Sequence, residues 1–262
     1  MEERENIFKY KLNRFLMQEK EFIFGVRAVQ EAIHSGKEID RVLLTKKPDS
    51  EISNELFPLI RKHFIPFQFV PVEKLNRITG KNHQGVIAFI SPVTYYPVSE
   101  LIIRCYDKGK DPFLLILDRV TDVGNFGAIA RSAECLGVDG IIIPEKGNAR
   151  INADAVKASS GALLRIPVAR VSSLASTMEY LKDSGLRIVA GTEKAETFAY
   201  TATLTGPLAI IAGSEESGIS ASLLKMSHEL VKIPMPGETA SLNVSAAVAI
   251  LLYEAMKQRM GN

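Results

Sequence analysis

The chain has 262 residues, 46% of them hydrophobic and 24% charged, with a formal net charge of +2. That balance excludes a disordered or fibrous polymer and supplies enough apolar residues for two modest cores. Residues 1–110 carry 18 Lys/Arg against 14 Asp/Glu and residues 111–262 carry 14 against 16, an excess too small to mark a polyanion-binding surface by itself.

The first segment, residues 1–20, alternates charges with Phe8, Leu12, Phe15 and Leu16. It lacks the uninterrupted apolar stretch of a signal peptide and is too short and charged to span a bilayer. A short helical or frayed leader of a cytoplasmic protein is expected. The only cysteines, Cys105 and Cys135, show no CxxC or metal spacing, so no disulfide framework is expected and a reducing compartment fits.

Residues 21–92 alternate helix-like and strand-like patterns: IFGVRAVQEAI, DRVLLTK, a helical stretch near Ile52 to Phe64, FQFVP and GVIAFI. A small α/β domain follows from that alternation. The prolines and the charged run YDKGKDP over residues 93–112 predict a linker, with one helical turn around Ser99 to Arg104. Residues 113–262 open with FLLILD, the continuous apolar run of a strand covered on both faces. Further strand patterns at Gly140 to Pro144, Ile166 to Val171, Leu186 to Ala190, Leu208 to Ala212 and Leu230 to Pro234 alternate with helical ones. A second, larger α/β domain with a mostly parallel sheet is predicted.

The last helix, about Val244 to Arg259, places Val244, Val248, Leu251, Leu252 and Ala255 on one face. Ala246, Ala249, Ile250 and Tyr253 make the other face apolar too. On composition this reads as a deeply buried core helix, or as one shared between core and a subunit interface.

Three runs in the second half concentrate polar residues where strands end, which is where open α/β sheets bind ligands. They are Leu117 to Ile141, Leu208 to Ile219 and Ile233 to Ala247. In the first, Asn125 and Arg131 flank a loop-to-helix junction after Asp122, with Gly124 and Gly127 permitting close backbone approach. Such a junction could hold a phosphate, or be an ordinary capped helix with a surface arginine. In the second, GSEESG (Gly213 to Gly218) is only superficially a phosphate loop, because Ile219 and Ser220 stand where Lys and Ser/Thr are required. Neither Ser214 nor Ser217 lies in a G-x-S-x-G nucleophile elbow. Glu215 is either a loop-holding acceptor or a solvated turn carboxylate. In the third, Pro234, Pro236 and Gly237 force an irregular loop whose free backbone groups need partners, and Ser241 and Asn243 sit at a helix entry where N-capping is the plain alternative. The sequon at Asn243-Val244-Ser245 is a chance match for such a chain. His34, His63, His83 and His228 have no ligand spacing, so no metal is expected. The first run also lacks the G-x-G-x-x-G of a dinucleotide enzyme.

In order and spacing these runs resemble the three signature motifs of the SpoU (TrmH-type) RNA ribose 2′-O-methyltransferases of the SPOUT superfamily. The likeness covers about Phe113 to Met260 and extends more weakly to IFGVRAVQEAI and NHQGVIAFI. It implies a catalytic α/β domain tied in a trefoil knot, which general topology rules make very rare, and an L30e-like RNA substrate-binding domain before it. It further implies S-adenosyl-L-methionine as cofactor, RNA as substrate with 23S ribosomal RNA first, no metal, no membrane, and a homodimer through the catalytic domain that uses the last helix. The catalytic residues it implies are Asn125, Arg131, Glu215, Ser241 and Asn243. The cofactor residues it implies are Thr192, Gly213, Ile233, Met235, Ser241 and Leu242. Val123 departs from the family's common proline after the aspartate, which is expected to loosen the loop carrying Asn125. A transfer-RNA enzyme of the same family and a non-catalytic RNA-binding protein are the competing readings. Since an arginine does not readily lose its proton, Arg131 is read as stabilising a developing alkoxide while another group accepts the proton.

Overall fold

The computed structural model describes residues 22–239 and 241–261, so the leader expected over residues 1–20 lies outside the described residues. Two units divide the chain, one running to Val93 with the short segment Ile151–Ala153, the other comprising Thr94–Arg150 and Asp154 onward.

In the first unit, strand β2 (Ile39–Thr45) is buried through Val42, Leu43 and Leu44, and its alternation feeds two cores. Val42 and Leu44 pack with Val26, Val29 and Ile33 of α1 (Val26–His34), while Leu43 packs with Leu75 of α3 (Val72–Ile78) on the other face. The helical stretch expected near Ile52 to Phe64 begins as a π turn at Ile52–Leu56 and continues as α2 (Phe57–Lys62). With β1 (Phe22–Phe24), β3 (Phe67–Val70) and β4 (Val86–Ile90), β2 forms, among the described residues, a sheet in the order β1-β4-β2-β3, in which only β2 and β3 are parallel. Helix α3 escaped the sequence reading. It is short, and Pro71 before it has the signature of a turn.

Residues 93–112 hold more than the single helical turn expected of them. Val98, Leu101, Ile102 and Cys105 recur at helical spacing, and α4 (Val98–Tyr106) buries all four. Leu101 lies directly on Gly140, where an added Cβ would meet its Cδ1 at 2.7 Å. The small residue on the strand is therefore what lets this helix approach.

The second unit is built on β5 (Phe113–Asp118), β6 (Gly140–Pro144), β7 (Val168–Val171), β8 (Arg187–Gly191), β9 (Thr197–Phe198), β10 (Leu208–Gly213) and β11 (Glu229–Lys232). Among the described residues these form one sheet in the order β7-β6-β5-β10-β8-β11-β9, parallel at every pairing. Both β5 and β10 are buried along their whole length, as their unbroken apolar runs require. Connecting helices α5 (Val123–Cys135), α6 (Ala153–Ala158), α7 (Leu174–Asp183) and α8 (Ala221–Met226) link these strands, and α9 (Val244–Met260) follows the last. The chain lays β6 and β7 on one side of β5, crosses to place β8 on the other, and then inserts β10 between β5 and β8. That reversal brings the C-terminal ends of β5, β10 and β8 together, the switch point where open parallel sheets form a crevice.

Helix α9 buries Val244, Val248, Leu251, Leu252 and Ala255, the stripe read from the sequence. It is not buried all round. Ile250 and Tyr253 are exposed, so one face packs into the unit, including along α5, and the other carries apolar side chains at the surface. No helix among the described residues is long and apolar enough to cross a membrane. Both cysteines are free thiols, and burial pushes the Cys105 thiol up to about 11, followed in effect by the nearby Asp139 carboxylate.

Candidate active site

Four loops at the C-terminal ends of β5, β8, β10 and β11 converge with the start of α9. Helix α5 starts after Asp122, whose Oδ1 accepts a hydrogen bond from the Asn125 backbone N–H at 2.7 Å. This is an N-cap, and it fixes Asn125 within the first turn. Val123 occupies the first helical position, where a proline would lose nothing because that N–H has no intrahelical partner. The capping aspartate thus restrains the loop that the missing proline was expected to loosen.

Helix α9 is capped in turn by Asn243, whose Oδ1 accepts from the Ser245 backbone N–H at 2.9 Å and from the Ser245 hydroxyl at 2.6 Å. Its Nδ2 donates to Asn125 Oδ1 at 3.0 Å and to Glu215 Oε1 at 2.5 Å. Two donors face one end of this amide and two acceptors the other, so its orientation is determined by its neighbours. Glu215 Oε1 also accepts from the Val244 backbone N–H at 3.3 Å, placing a carboxylate at the positive end of α9. Asn125, Glu215 and Asn243, from three remote segments, therefore form one hydrogen-bonded unit. Asn125 Nδ2 has no hydrogen bond among the described residues and remains available as a donor.

Beside this unit lies a cavity of about 520 Å³, within the range of small-molecule sites. Thr192, Gly213, Ile233, Met235, Ser241 and Leu242 all line it, with Glu215 at its edge and Val248 and Leu251 of α9 as an apolar wall. Gly213 is constrained by space: a Cβ there would stand 2.1 Å from the carbonyl carbon of Gly218. Neither Asn125 nor Arg131 is part of the lining. Arg131 is exposed, makes no hydrogen bond or ion pair among the described residues, and sits six positions past Asn125 on α5, about 240° around the helix. The structure thus unites the amide and carboxylate residues and leaves the arginine outside their network. Among the described residues no three His, Cys, Asp or Glu side chains cluster as a metal site.

Two residues the sequence reading missed shape this end of the sheet. Asp118 closes β5 and is buried; its carboxylate accepts from the Ser220 N–H at 2.8 Å and from Arg119 Nε at 3.1 Å. Arg119, held at a φ of 60°, donates through Nη2 to the Gly218 carbonyl at 3.1 Å. Together they tie the end of β5 to both sides of the loop after β10. An acidic residue ending a fully apolar strand was the available signal, because a buried carboxylate needs donors.

Comparison with known proteins gives a consistent set. The model of the SpoU rRNA methylase family matches residues 112–253, and that of the RNA 2′-O ribose methyltransferase substrate-binding domain matches residues 22–96. The chain is 38% identical to the 23S rRNA (guanosine-2′-O-)-methyltransferase RlmB of Escherichia coli, across 91% of this chain and 99% of that protein. It is 32% identical to YacO of Bacillus subtilis, provisionally named a TrmH-family tRNA/rRNA methyltransferase, across 93% and 98%. Its fold is similar to the SpoU methyltransferase AviRb of Streptomyces viridochromogenes, solved with AdoMet, at a TM-score of 0.60 and 23% identity over 97% of this chain and 99% of that one.

Proposed function

The chain belongs to the SpoU rRNA methylase family, and on that premise we propose that it transfers a methyl group from S-adenosyl-L-methionine to a ribose 2′-hydroxyl of 23S ribosomal RNA. The observation that carries the reading is the Asn125–Glu215–Asn243 unit standing beside a cavity suited to a small molecule. Ribosomal rather than transfer RNA is favoured by identity to RlmB along nearly the whole of both chains, the substrate-binding unit included.

The cavity fits the cofactor by size and by chemistry. Its apolar wall of Val248 and Leu251 suits a purine face, and the space at Gly213 that admits no Cβ keeps backbone close to whatever lies there. Thr192, Gly213, Ile233, Met235, Ser241 and Leu242 would hold it. When bound, S-adenosylmethionine supplies an electrophilic methyl on a sulfonium centre. Alignment of an acceptor oxygen is then the chief task of the protein. Asn125, fixed through the Asp122 cap and Asn243, directs its free Nδ2 toward a ribose oxygen. Glu215 locks Asn243 and the first turn of α9 in place. Arg131, uncommitted among the described residues, is available to an RNA phosphate and to the oxyanion that develops as the hydroxyl loses its proton. The proton itself goes to a group more basic than a guanidinium can be.

The same premise carries a trefoil knot, supported by the late insertion of β10 between β5 and β8. It also carries a homodimer through the exposed apolar face of α9 and a cytoplasmic location. The test is to map ribose methylation in ribosomal and transfer RNA from cells with and without this protein, and to titrate the purified chain with S-adenosylmethionine by calorimetry. A 2′-O-methyl mark in 23S RNA that vanishes with the protein is the expected result. A lost mark in transfer RNA alone, or no heat on titration, would overturn the reading.

A further inference from the structure

One surface of the first unit is at odds with its own fold. Helix α2 ends in a turn in which the Phe64 N–H donates to the Arg61 carbonyl at 3.1 Å and the Ile65 N–H to the Ile60 carbonyl at 3.0 Å. Phe64 itself stands at a φ of 52°, a left-handed conformation that glycine fills at helix ends without steric penalty. The residue is 87% exposed, more than any other large hydrophobic among the described residues. Neither packing nor backbone geometry calls for phenylalanine here, and such local conflicts concentrate at functional sites.

The strand that follows repeats the pattern. On β3, Phe67 and Phe69 are 37% and 42% exposed, and both rings meet Phe57, at 5.0 and 5.8 Å between centroids. The Arg61 guanidinium lies over the Phe57 ring at 5.9 Å. From Phe57 to Val72 the sequence holds Arg61 and Lys62 and no carboxylate. Strand β3 is an outer strand of its sheet, yet it has only four residues and stands between Pro66 and Pro71, features that blunt an edge against addition of another strand. Exposed aromatic faces interleaved with cations suit the unstacked bases and phosphates of single-stranded RNA.

We infer that Phe64, Phe67 and Phe69, with Arg61 and Lys62, form a stacking platform for unpaired bases of the RNA substrate. This rests on the RNA-methylating reading above and assigns that substrate a place of contact on the first unit. The chain has no tryptophan, so Phe64→Trp installs a single reporter on the full-length protein. Its emission should be quenched by single-stranded oligoadenylate and far less by an oligoadenylate–oligouridylate duplex. Phe64→Gly should melt no lower than wild type, since glycine accepts the positive φ, while binding oligoadenylate about five- to a hundredfold more weakly. In methyl-transfer assays it should raise KM for RNA and leave kcat and S-adenosylmethionine affinity unchanged. Wild-type RNA affinity in Phe64→Gly, or emission indifferent to RNA, overturns the platform. Emission that responds only to added ribosomal protein makes the occupant a protein and overturns it too. Should the wild-type chain methylate no RNA, the proposed activity fails, while the fluorescence titration still decides whether this surface stacks bases.

Discussion

Gly213→Ala tests whether the loop after β10 is as tightly determined as its contacts imply. The new Cβ would stand 2.1 Å from the carbonyl carbon of Gly218, 2.2 Å from its oxygen and 2.2 Å from the Ile219 nitrogen. Carbon contacts are comfortable near 3.5 Å, so backbone must retreat by more than about 1 Å. That retreat is opposed by Ser220 N–H bonded to Asp118, by Arg119 bonded to the Gly218 carbonyl, and by the Gly218 N–H bonded to the Ser214 carbonyl at 3.0 Å. Overpacking of this kind costs about 1–3 kcal/mol. At about 2–4 °C per kcal/mol for a domain of this size, the melting temperature should fall by roughly 2–12 °C. Because the displaced loop carries Glu215, the partner of Asn243, turnover should drop on the order of a hundredfold as well. Cofactor affinity should weaken too, because Gly213 lines the cavity; scanning calorimetry, methyl-transfer assays and S-adenosylmethionine titration read the three effects. Gly80→Ala, where an added Cβ meets nothing within 4 Å, serves as the control and should melt as wild type. Gly213→Ala with unchanged melting temperature and cofactor affinity would refute the claim that this glycine is required by space.

Asn243→Ala removes the cap of α9 and both ties to Asn125 and Glu215; a stability loss of about 1 kcal/mol should accompany a fall in kcat that exceeds any change in S-adenosylmethionine affinity. Wild-type turnover by this variant would exclude Asn243 from the reaction. Arg131→Lys should keep part of the activity by keeping the charge, whereas Arg131→Ala should lose most of it with cofactor binding near normal; equal losses, or collapsed cofactor binding in either, would contradict an electrostatic role. His228 is held below its ordinary value near 6.5 by desolvation and by the Lys182 and Arg187 charges, and its Nδ1 accepts from the Ile188 N–H at 2.9 Å. Below pH 6.5 the unfolded chain takes up a proton there that the folded chain resists, so stability should decrease as pH falls through that value. His228→Asn should flatten this part of the melting-temperature profile, and an identical profile would remove His228 as its source.

Much of the second unit was legible because its physics is local. FLLILD reads as a buried strand since β5 is covered on both faces, and Val244, Val248, Leu251, Leu252 and Ala255 read as a stripe since a helix repeats every 3.6 residues. Helix α4 was underread because the prolines and the lysine-rich run around it outweighed four apolar residues whose partners are distant in sequence. The deeply buried reading of α9 failed for a related reason. Apolar composition reports what a helix can bury, whereas Ile250 and Tyr253 find no covering element among the described residues. Asp118 and Arg119 went unnoticed because their role is topological: it exists only once β10 has been inserted beside β5.

The roles proposed above place opposite demands on the amides and on the arginine. A side chain that orients a reactant should be held before the reactant arrives, since ordering it later subtracts from binding and from rate. Asn243 meets that demand with two donors and two acceptors around one amide, and through it Asn125 and Glu215 are fixed across three segments. A side chain that answers a charge brought by the substrate has the opposite requirement. An Arg131 already paired with Glu215 would have to surrender that bond to reach a phosphate, and the exchange would cancel much of its attraction. Its exposed position on α5, unpaired among the described residues, avoids the exchange, and under the proposed role the arginine's contribution should depend on ionic strength in a way the amide network's does not.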